Sequence, residues 1–331
     1  NGSNVQIWTN NNTVAQKWSF TSTTATAATG NGYATYQGGR GGSGNILAYG
    51  VDVSEHQGVG YNFQALKNAG YSYVILRCGF VSRKDYRFEE YYQAAKAAGL
   101  DVGAYFYSYA ENASEALAEA NKCLSYIAGK KFEYPIYLDF EDPCQYGDDA
   151  KSICLTFLDK VASKGYLVGL YGYASWLDED YSGHWVPTAQ ICQKYECWIA
   201  NYPYANYVDN YTQKYKTRYG MFQYTDGAAS QGLAAGYGLD TDMCFKDYPS
   251  IVRQHGFNGY SASLAPVVYN TGEGVVAPEE ISGLSDVTVK TVEKVQYVNV
   301  SGQVSDQPFS GVNVMVTIYS DGSKEVKKIM K

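Results

Sequence analysis

Two acidic residues, Asp139 and Glu141, end an apolar run in the segment YPIYLDFEDP, residues 134–143. If this run is a β-strand, its side chains alternate between two faces, and Tyr137, Asp139 and Glu141 share one of them. Repulsion between two adjacent carboxyls raises the pKa of one and keeps it protonated near neutral pH. A protonated carboxyl beside an ionised one is the pair that cleavage of a glycosidic bond requires. The pattern therefore predicts a glycoside hydrolase site.

Two further acids, Asp52 in YGVDVS and Asp240 in GLDTD, lie in other short apolar runs. In barrels of alternating strands and helices, acids at the C-terminal strand ends face the active site. A single acid at a strand end is more often an N-cap or an ion-pair partner. Four such acids in one barrel favour a catalytic role. The spacing of Asp139 and Glu141 leaves both retaining and inverting stereochemistry open.

The segment 46–260 must position these acids, and it alternates short apolar runs with helical patterns. Several predicted helices end in a glycine that a strand follows at once, as at Gly70, Gly99 and Gly165. This rhythm indicates a parallel sheet, and the length of the segment favours a barrel over an open sheet. Strong helical patterns are missing between the later strands. We therefore predict an α/β fold, an irregular (β/α) barrel with eight strands and about five helices, flanked by β-rich segments.

Biased composition separates this barrel from its flanks. Residues 21–45 are rich in Thr and Ala and then in Gly, and residues 261–280 form a second break, so both are predicted linkers. The stretch GRGGSG (39–44) follows no strand and opens no helix, which favours a flexible linker over a phosphate-binding loop. Residues 281–331 alternate apolar and polar side chains, which predicts a small β-rich accessory domain. This segment is short for an immunoglobulin-like sandwich, so a truncated domain is one interpretation.

Composition and charge argue against several other functions. The 331 residues carry a net charge of -7, which gives no electrostatic reason to expect nucleic acid as a partner. No run of about 18 apolar residues exists, so no membrane insertion is predicted. The cysteines form no CxxC pair and the histidines no HxH or HExxH, so neither a metal nor a cofactor is predicted. The cysteine spacing is compatible with a disulfide between Cys192 and Cys197 and equally with free thiols. We further predict that the chain is a monomer.

The segment 46–260 resembles glycoside hydrolase family 25, the muramidases that cleave the β-1,4 bond between N-acetylmuramic acid and N-acetylglucosamine. The resemblance is carried by widely spaced motifs in order: YGVDVSEHQG, YVILRCGF, GAYFYSYA, YPIYLDFED, GLYGYASWL, WIANY and FQYTDGAASQGLAAGYGLDTDMCF. It implies an irregular barrel, the hydrolysis of peptidoglycan glycan strands as the activity, and secretion or attachment to a bacterial-type cell wall.

The resemblance also implies roles for individual residues. Glu141 resembles the proton donor, and Asp139 resembles its partner, which stabilises an oxocarbenium-like state or positions the substrate's N-acetyl group. Asp52 and Asp240 resemble the family's two other active-site acids. Whether a carboxylate or the acetamido oxygen of the substrate is the nucleophile stays open. Six residues fall where the family lines its sugar groove, with core packing as the alternative for the aromatic ones: Tyr105, Tyr107, Trp198, Tyr202, Gln223 and Arg77.

Two details add to this picture. Phe140 departs from the family pattern, in which a smaller aliphatic residue is common between the two acids, and alternation directs it towards the helices. Residues 1–20 resemble the end of a ricin-type β-trefoil repeat, with its Q-x-W element at Gln16–Trp18. This second resemblance implies a sugar-binding domain upstream, so the chain is predicted to be a fragment.

Two other functions fit parts of the sequence. A chitinase-like barrel would also carry acids at its fourth strand, but the longer D-x-x-D-x-D-x-E run of that family is absent. A non-catalytic sugar-binding protein could keep the same barrel. The presence of all four acids argues against that alternative.

Overall fold

The computed structural model describes residues 32–147, 149–228, 238–262, 292–299, 301, 303–319 and 324–330, with six positions between 271 and 278. These residues contain thirteen β-strands and eight α-helices. The predicted trefoil fragment, residues 1–20, and the first part of the predicted linker lie outside the described residues.

Eight strands of the described part close into a barrel, which confirms the predicted fold. They are β1 (Ala48–Val53), β2 (Tyr73–Phe80), β4 (Asp101–Tyr107), β5 (Ile136–Asp139), β6 (Val168–Tyr173), β7 (Glu196–Ala200), β8 (Met221–Ala228) and β9 (Leu239–Cys244). They follow one another around the barrel in this order, and β1 closes it by pairing with both β2 and β9. The short strand β3 (Arg83–Lys84) forms a hairpin with the end of β2.

The helices surround the barrel unevenly. Those of eight or more residues are α2 (Phe88–Ala97), α3 (Ala113–Ile127), α4 (Ala150–Ala162), α7 (Val208–Tyr215) and α8 (Tyr248–His255). The others are α1 (Phe63–Asn68), α5 (Ala174–Leu177) and α6 (Thr188–Ile191). The described residues thus hold eight helices where about five are predicted. Helices α5 and α6, of four residues each, are too short to leave a periodic pattern in the sequence.

Glycine ends several helices as predicted. Gly99 follows α2 with a φ of 74°, and the backbone N–H of Leu100 donates to the carbonyl of Ala95 over 3.1 Å. This left-handed turn satisfies the last carbonyls of the helix and reverses the chain into β4. Gly70 and Gly165 also have positive φ, at 102° and 83°.

The sheet is not wholly parallel, which corrects one expectation. Strand β9 runs antiparallel to both β8 and β1, whereas the other neighbours in the barrel are parallel. Asp240 is therefore near the start of its strand rather than at its end. Because β9 is reversed, its start lies at the same end of the barrel as the C-termini of the other strands.

Alternation along β5 separates two hydrophobic cores. Tyr137 belongs to the cluster inside the barrel, with Tyr73 and Trp198. Leu138 and Phe140 belong to the cluster between the barrel and the helices. The ring of Phe140 lies 5.8 Å from that of Trp185 and 6.1 Å from that of Trp176, so the predicted outward direction of Phe140 is confirmed.

The second half of the predicted linker 21–45 packs against the barrel. Residues 32–45, here called the strap, cross the end of the barrel at which the parallel strands begin. The backbone N–H of Val168 donates to the hydroxyl of Tyr33, and the N–H of Ser43 donates to the carbonyl of Phe245 over 2.8 Å. The Gly-rich composition therefore accompanies close packing.

The glycines of the strap allow this close approach. A methyl group on Gly42 would lie 2.4 Å from the carbonyl oxygen of Lys216, and one on Gly38 would lie 1.9 Å from that of Lys194. No real side chain tolerates such a contact with the backbone, so both positions require glycine.

A separate four-stranded antiparallel sheet follows the barrel in the chain. It contains β10 (Val292–Asn299), β11 (Val304–Ser305), β12 (Val312–Tyr319) and β13 (Lys324–Met330), in the order β11-β10-β12-β13. These strands lie within the region predicted to be β-rich, whose boundaries stay a prediction. In the described part of the chain, no helix has both the length and the apolar character of a membrane span.

The seven cysteines are free thiols, and all but Cys144 are buried. The disulfide between Cys192 and Cys197 that the sequence left open is not formed. Within the described ranges, no group of three or more His, Cys, Asp or Glu side chains is arranged to hold a metal ion.

Candidate active site

A cavity of about 450 Å³ opens at the end of the barrel where the parallel strands finish. All ten residues that the sequence singled out line it: Asp52, Arg77, Tyr105, Tyr107, Asp139, Glu141, Trp198, Tyr202, Gln223 and Asp240. Their side chains come from seven different barrel strands and the segments that follow these strands. The barrel thus brings together residues that are far apart in the sequence.

The acids reach the cavity from two sides. Asp139 is the last residue of β5 and is 4 % exposed, and Glu141 follows it in the loop. On the other side, Asp52 of β1 lies directly opposite Asp240 in the register of β1 and β9. Oδ1 of Asp139 and Oε2 of Glu141 are buried and make no hydrogen bond within the described residues. Both residues line the cavity, and each thus has one carboxyl oxygen without a hydrogen-bond partner in the described part of the chain.

The pKa of Glu141 is raised to about 7, and burial is the main cause. The nearby hydroxyls of Tyr171 and Tyr173 oppose the rise, and the charge of Asp142 adds to it. The sequence attributed the protonation of Glu141 to repulsion from Asp139, whereas the structure makes burial the first cause. A carboxyl with this pKa is divided between its protonated and ionised forms at neutral pH.

The pKa of Asp139 is raised as well, first by burial and then by Glu141, while the positive charge of Arg77 lowers it. Burial also raises the pKa of Asp240 to about 7, and the charges of Asp226 and Glu141 add to the rise. The site is therefore a group of carboxyls that all bind protons more tightly than carboxyls in water do.

Arg77 is held in place by acids outside this group. Its Nε donates to Oδ2 of the buried Asp85 over 2.8 Å, and its Nη2 lies 3.4 Å from Glu55. The guanidinium is therefore anchored at the side of the cavity, and its effect on Asp139 is electrostatic.

Gln223 connects Asp52 to two tyrosines. Its Nε2 donates to Oδ2 of Asp52 over 2.6 Å. Its Oε1 accepts hydrogen bonds from the hydroxyls of Tyr171 over 2.7 Å and Tyr202 over 2.6 Å. Gln223 is buried, whereas Tyr202 is 38 % exposed at the mouth of the cavity.

The aromatic residues that line the cavity differ in their exposure to solvent. Trp198 is 1 % exposed, and its ring packs 4.4 Å from Tyr171 and 5.1 Å from Tyr137. It thus lines the cavity and also belongs to the core, the two alternatives that the sequence left open. Tyr105 and Tyr107 of β4 are partly exposed on the opposite wall.

Sequence reasoning missed Asp242, which lies behind the lining, and seven lining residues: Ser54, His56, Gln57, Tyr171, Tyr173, Asp226 and Gly238. Tyr171 and Tyr173 are two positions apart on β6, and Asp242 lies two positions after Asp240 on β9. The alternation that identified Asp139 and Glu141 would have pointed to these three. Asp242 accepts the indole N–H of Trp198 over 2.8 Å behind the lining. Asp226, which is exposed at the rim, belongs to no such pattern.

A family model now decides the classification of this barrel. The model described as glycosyl hydrolases family 25 matches residues 51–233, which is more than half of the chain. The chain belongs to this family. The matched segment covers β1 to β8 and so includes nine of the ten predicted site residues, all but Asp240.

The chain is also similar to individual proteins. The autolytic lysozyme of Clostridium acetobutylicum is 25 % identical over 193 residues, which cover 58 % of this chain and 54 % of the lysozyme. The chain thus spans about half the length of that relative. Among solved structures, the CTP1L endolysin is 27 % identical with a TM-score of 0.49, covering 61 % of this chain and 68 % of its own. The lysozyme of Streptomyces coelicolor is 20 % identical with a TM-score of 0.47, covering 60 % and 91 %.

Proposed function

We propose that this chain hydrolyses peptidoglycan by cleaving the β-1,4 bond between N-acetylmuramic acid and N-acetylglucosamine. The observation that carries the proposal is the pair of carboxyls of Glu141 and Asp139, which line the cavity of a family 25 barrel. The autolytic lysozyme among its relatives supports the same substrate.

Glu141 is the general acid of the proposed reaction. With a pKa of about 7, much of this carboxyl carries a proton at neutral pH and can donate it to the glycosidic oxygen as the bond breaks. Glu141 lines the cavity, and its Oε2 makes no hydrogen bond within the described part of the chain that would compete with one to that oxygen. After the proton has left, the ionised carboxylate can accept a proton from the incoming water.

Asp139 has the complementary role. In its ionised form it stabilises the positive charge that develops at the anomeric carbon, or it orients the N-acetyl group of the sugar. The positive charge of Arg77 lowers the pKa of Asp139 and so favours that ionised form. Asp52 and Asp240 complete the acidic wall opposite this pair.

The aromatic walls suit a glycan strand. Tyr107 and Tyr202 present partly exposed rings at the cavity, and the flat apolar face of a tyrosine stacks on a sugar ring while its hydroxyl bonds to sugar oxygens. The cavity is open at its mouth to Tyr173, which is 37 % exposed. These rings are the proposed substrate-binding residues.

The products of hydrolysis test the proposal. The protein is incubated with purified peptidoglycan and, separately, with chitin, and the new reducing ends are identified by mass spectrometry. We expect muramic acid reducing ends from peptidoglycan. Products from chitin alone would favour a chitinase-like enzyme, and no products from either would favour a non-catalytic sugar-binding protein.

Replacement of the proposed acid tests its role. We expect Glu141→Gln to lower kcat on peptidoglycan by about 10²- to 10⁴-fold, because an amide cannot donate the proton. The matched control is Glu111→Gln, which removes a carboxylate at an exposed position. Cleavage by Glu141→Gln at the rate of the control would contradict the assignment.

The site of action follows from the proposed substrate. We propose that the protein is secreted or bound to the cell wall and acts there as a monomer. Fractionation of the producing cells and light scattering of the purified protein test this, and an exclusively cytosolic or oligomeric protein would contradict it.

A further inference from the structure

The amide of Gln223 has little freedom to do anything other than join its three partners. A carbonyl oxygen has two lone pairs, and Oε1 uses both for the hydroxyls of Tyr171 and Tyr202. Gln223 is 2 % exposed, so water cannot easily replace these bonds. Oε1 therefore has no remaining capacity to accept a hydrogen bond from a substrate.

The orientation of this amide has a consequence for Asp52. With Oε1 turned to the tyrosines, Nε2 faces Oδ2 of Asp52 and donates to it. The opposite orientation would place two acceptors, Oε1 and Oδ2, against each other unless Asp52 carried a proton on that oxygen. In the observed orientation both hydroxyls donate to Oε1, and Asp52 accepts from Nε2.

We propose that Gln223 is a positioning residue, which holds Asp52 in place as a hydrogen-bond acceptor and links it to Tyr202 at the mouth of the cavity. This role is additional to the expectation, drawn from the resemblance, that Gln223 lines the sugar groove, since the second N–H of Nε2 is not used in these three bonds. The kinetic part of the test rests on the proposed function, whereas the titration part does not.

The surroundings of Asp52 make such a residue necessary. Burial raises its pKa most strongly, and the charges of Asp240 and Asp242 raise it further, while the hydrogen bond from Gln223 lowers it. The groups facing Asp52 from the elements packed around it are acids and phenols: Asp240, Asp242, Asp139, Tyr61, Tyr105, Tyr171 and Tyr202. Arg77 lines the same cavity but is bonded to Asp85. An amide donor is what counters this environment.

The network also reaches the solvent. Tyr202 is the exposed end, Gln223 is the buried centre, and Asp52 is the buried end. A sugar that stacks on the ring of Tyr202 fixes its hydroxyl, and through Oε1 it fixes the amide that holds Asp52. Occupation of the groove and the geometry of Asp52 are thereby coupled.

The kinetic test uses Gln223→Met, which keeps the volume of the side chain and removes the donor without adding charge. Loss of a hydrogen bond to a carboxylate raises its pKa, so we expect the acid limb of the profile of kcat/KM against pH to move up by about one pH unit. Below about pH 7, where Glu141 keeps its proton, activity should recover as the pH rises. Gln64→Met, at an exposed position of α1, is the control and should leave the limb in place. An equal loss of activity at every pH would mean a merely structural role and would overturn the proposal.

A titration without substrate gives the independent test. The carboxyl ¹³C signal of Asp52, assigned with Asp52→Asn, is followed against pH in the full chain. We expect the pKa of Asp52 to be about one unit higher in Gln223→Met than in the unaltered protein, and an unchanged value would overturn the proposal. If the protein cleaves no glycan, this measurement still decides the role of Gln223.

Tyr202→Phe carries the titration if Gln223→Met does not fold. It removes one of the two donors to Oε1 and leaves the bond between Gln223 and Asp52 possible. The amide is then less firmly oriented, so we expect a rise in the pKa of Asp52 of about half a unit. A pKa that stays the same or falls would overturn the proposal.

Discussion

Asp52, Asp139 and Asp242 lie almost completely buried at the inner wall of the barrel, and each has a raised pKa whose largest cause is burial. A carboxylate loses its hydration when it is buried, so the protonated form persists to higher pH. Neighbouring charges add to this effect but come second. Protonation of these carboxyls at higher pH therefore depends on their burial more than on their mutual repulsion.

The pH dependence of turnover tests this electrostatic environment at the residue scale. We expect kcat to fall as the pH rises past about 7, because Glu141, whose pKa is about 7, then loses the proton it donates. The nearby hydroxyl of Tyr173 stabilises the ionised carboxylate and lowers that pKa. Tyr173→Phe should therefore move this basic limb to higher pH by about half a unit.

The control for this prediction is Tyr204→Phe, since Tyr204 is 83 % exposed and lies outside the cavity lining. Both profiles are measured on soluble peptidoglycan fragments. A basic limb that stays at the same pH in Tyr173→Phe, or moves to lower pH, would show that Tyr173 does not stabilise the carboxylate.

Local pattern and long-range contact explain which site residues the sequence could predict. The shared face of Asp139 and Glu141 follows from alternation along a few residues, so it was predictable. The bond between Gln223 and Asp52 joins positions 171 residues apart, and that between Trp198 and Asp242 joins positions 44 apart. Such contacts exist only once the barrel has closed, and no local pattern encodes them.

Strand β9 shows the same distinction at the scale of elements. Hydrophobic alternation identifies a strand but is the same in both directions, so it does not give the orientation. The connection from Ala228 to Leu239 is too short for the crossover that a parallel strand needs. The reversed strand then presents Asp240 at its start, beside Asp52 of β1. Connection length was the signal that could have predicted this orientation.

The strap shows that glycine-rich composition has two physical meanings. Glycine loses its conformational freedom at a cost and is common in flexible linkers, but it also allows backbones to touch. Composition cannot distinguish the two, because the distinction depends on whether another chain segment lies within reach. Here the carbonyl of Lys216 lies against Gly42.

Gly42→Ala tests the packing of the strap. The added methyl group would lie 2.4 Å from the carbonyl oxygen of Lys216 and 2.6 Å from that of Tyr219, so the strap must move. We expect a loss of about 1–3 kcal/mol in the free energy of unfolding, measured in urea. Gly147→Ala is the control, because its methyl group would meet no atom within 4 Å. Equal stability of the two variants would show that the strap does not pack as described.

At the scale of the whole molecule, a buried ion pair joins the strap to the barrel. Glu196, at the start of β7, is fully buried and lies 2.6 Å from Nζ of Lys246. The hydroxyl of Tyr36 in the strap donates to Oε1 of Glu196 over 2.9 Å. The hydroxyl of Tyr248 donates to Oε2 of Glu196 over 3.1 Å. Strap, β7 and the start of α8 thus meet at one charged centre opposite the cavity.

Removal of one partner of this pair should be more harmful than removal of both. Lys246→Met leaves the carboxylate of Glu196 buried without its cation, and we expect a loss of about 3–5 kcal/mol in the free energy of unfolding. In the double variant Glu196→Gln with Lys246→Met no charge remains, so part of this loss should be recovered. Urea unfolding of the single and double variants measures the difference. A double variant less stable than Lys246→Met would contradict the prediction.

The general architecture was predictable because strand and helix patterns repeat many times along the barrel, so single errors average out. Where the barrel begins in the chain was not, since this depends on the contacts of Tyr33 and Tyr36 with strands more than 130 residues away. Composition placed the start near residue 46, whereas the packed structure starts before it. The boundaries at the other flank stay a prediction.

The position of the strap matters for anyone who exchanges modules around this barrel. A fusion that joins a foreign binding module at residue 46 would discard Tyr36 and the glycines that cover Glu196 and Lys246. The same graft made ahead of Gly32 keeps this cover intact. The barrel and its strap should therefore be exchanged together. In a chimaera that is cut between them, the ion pair of Glu196 and Lys246 loses the strap that covers it.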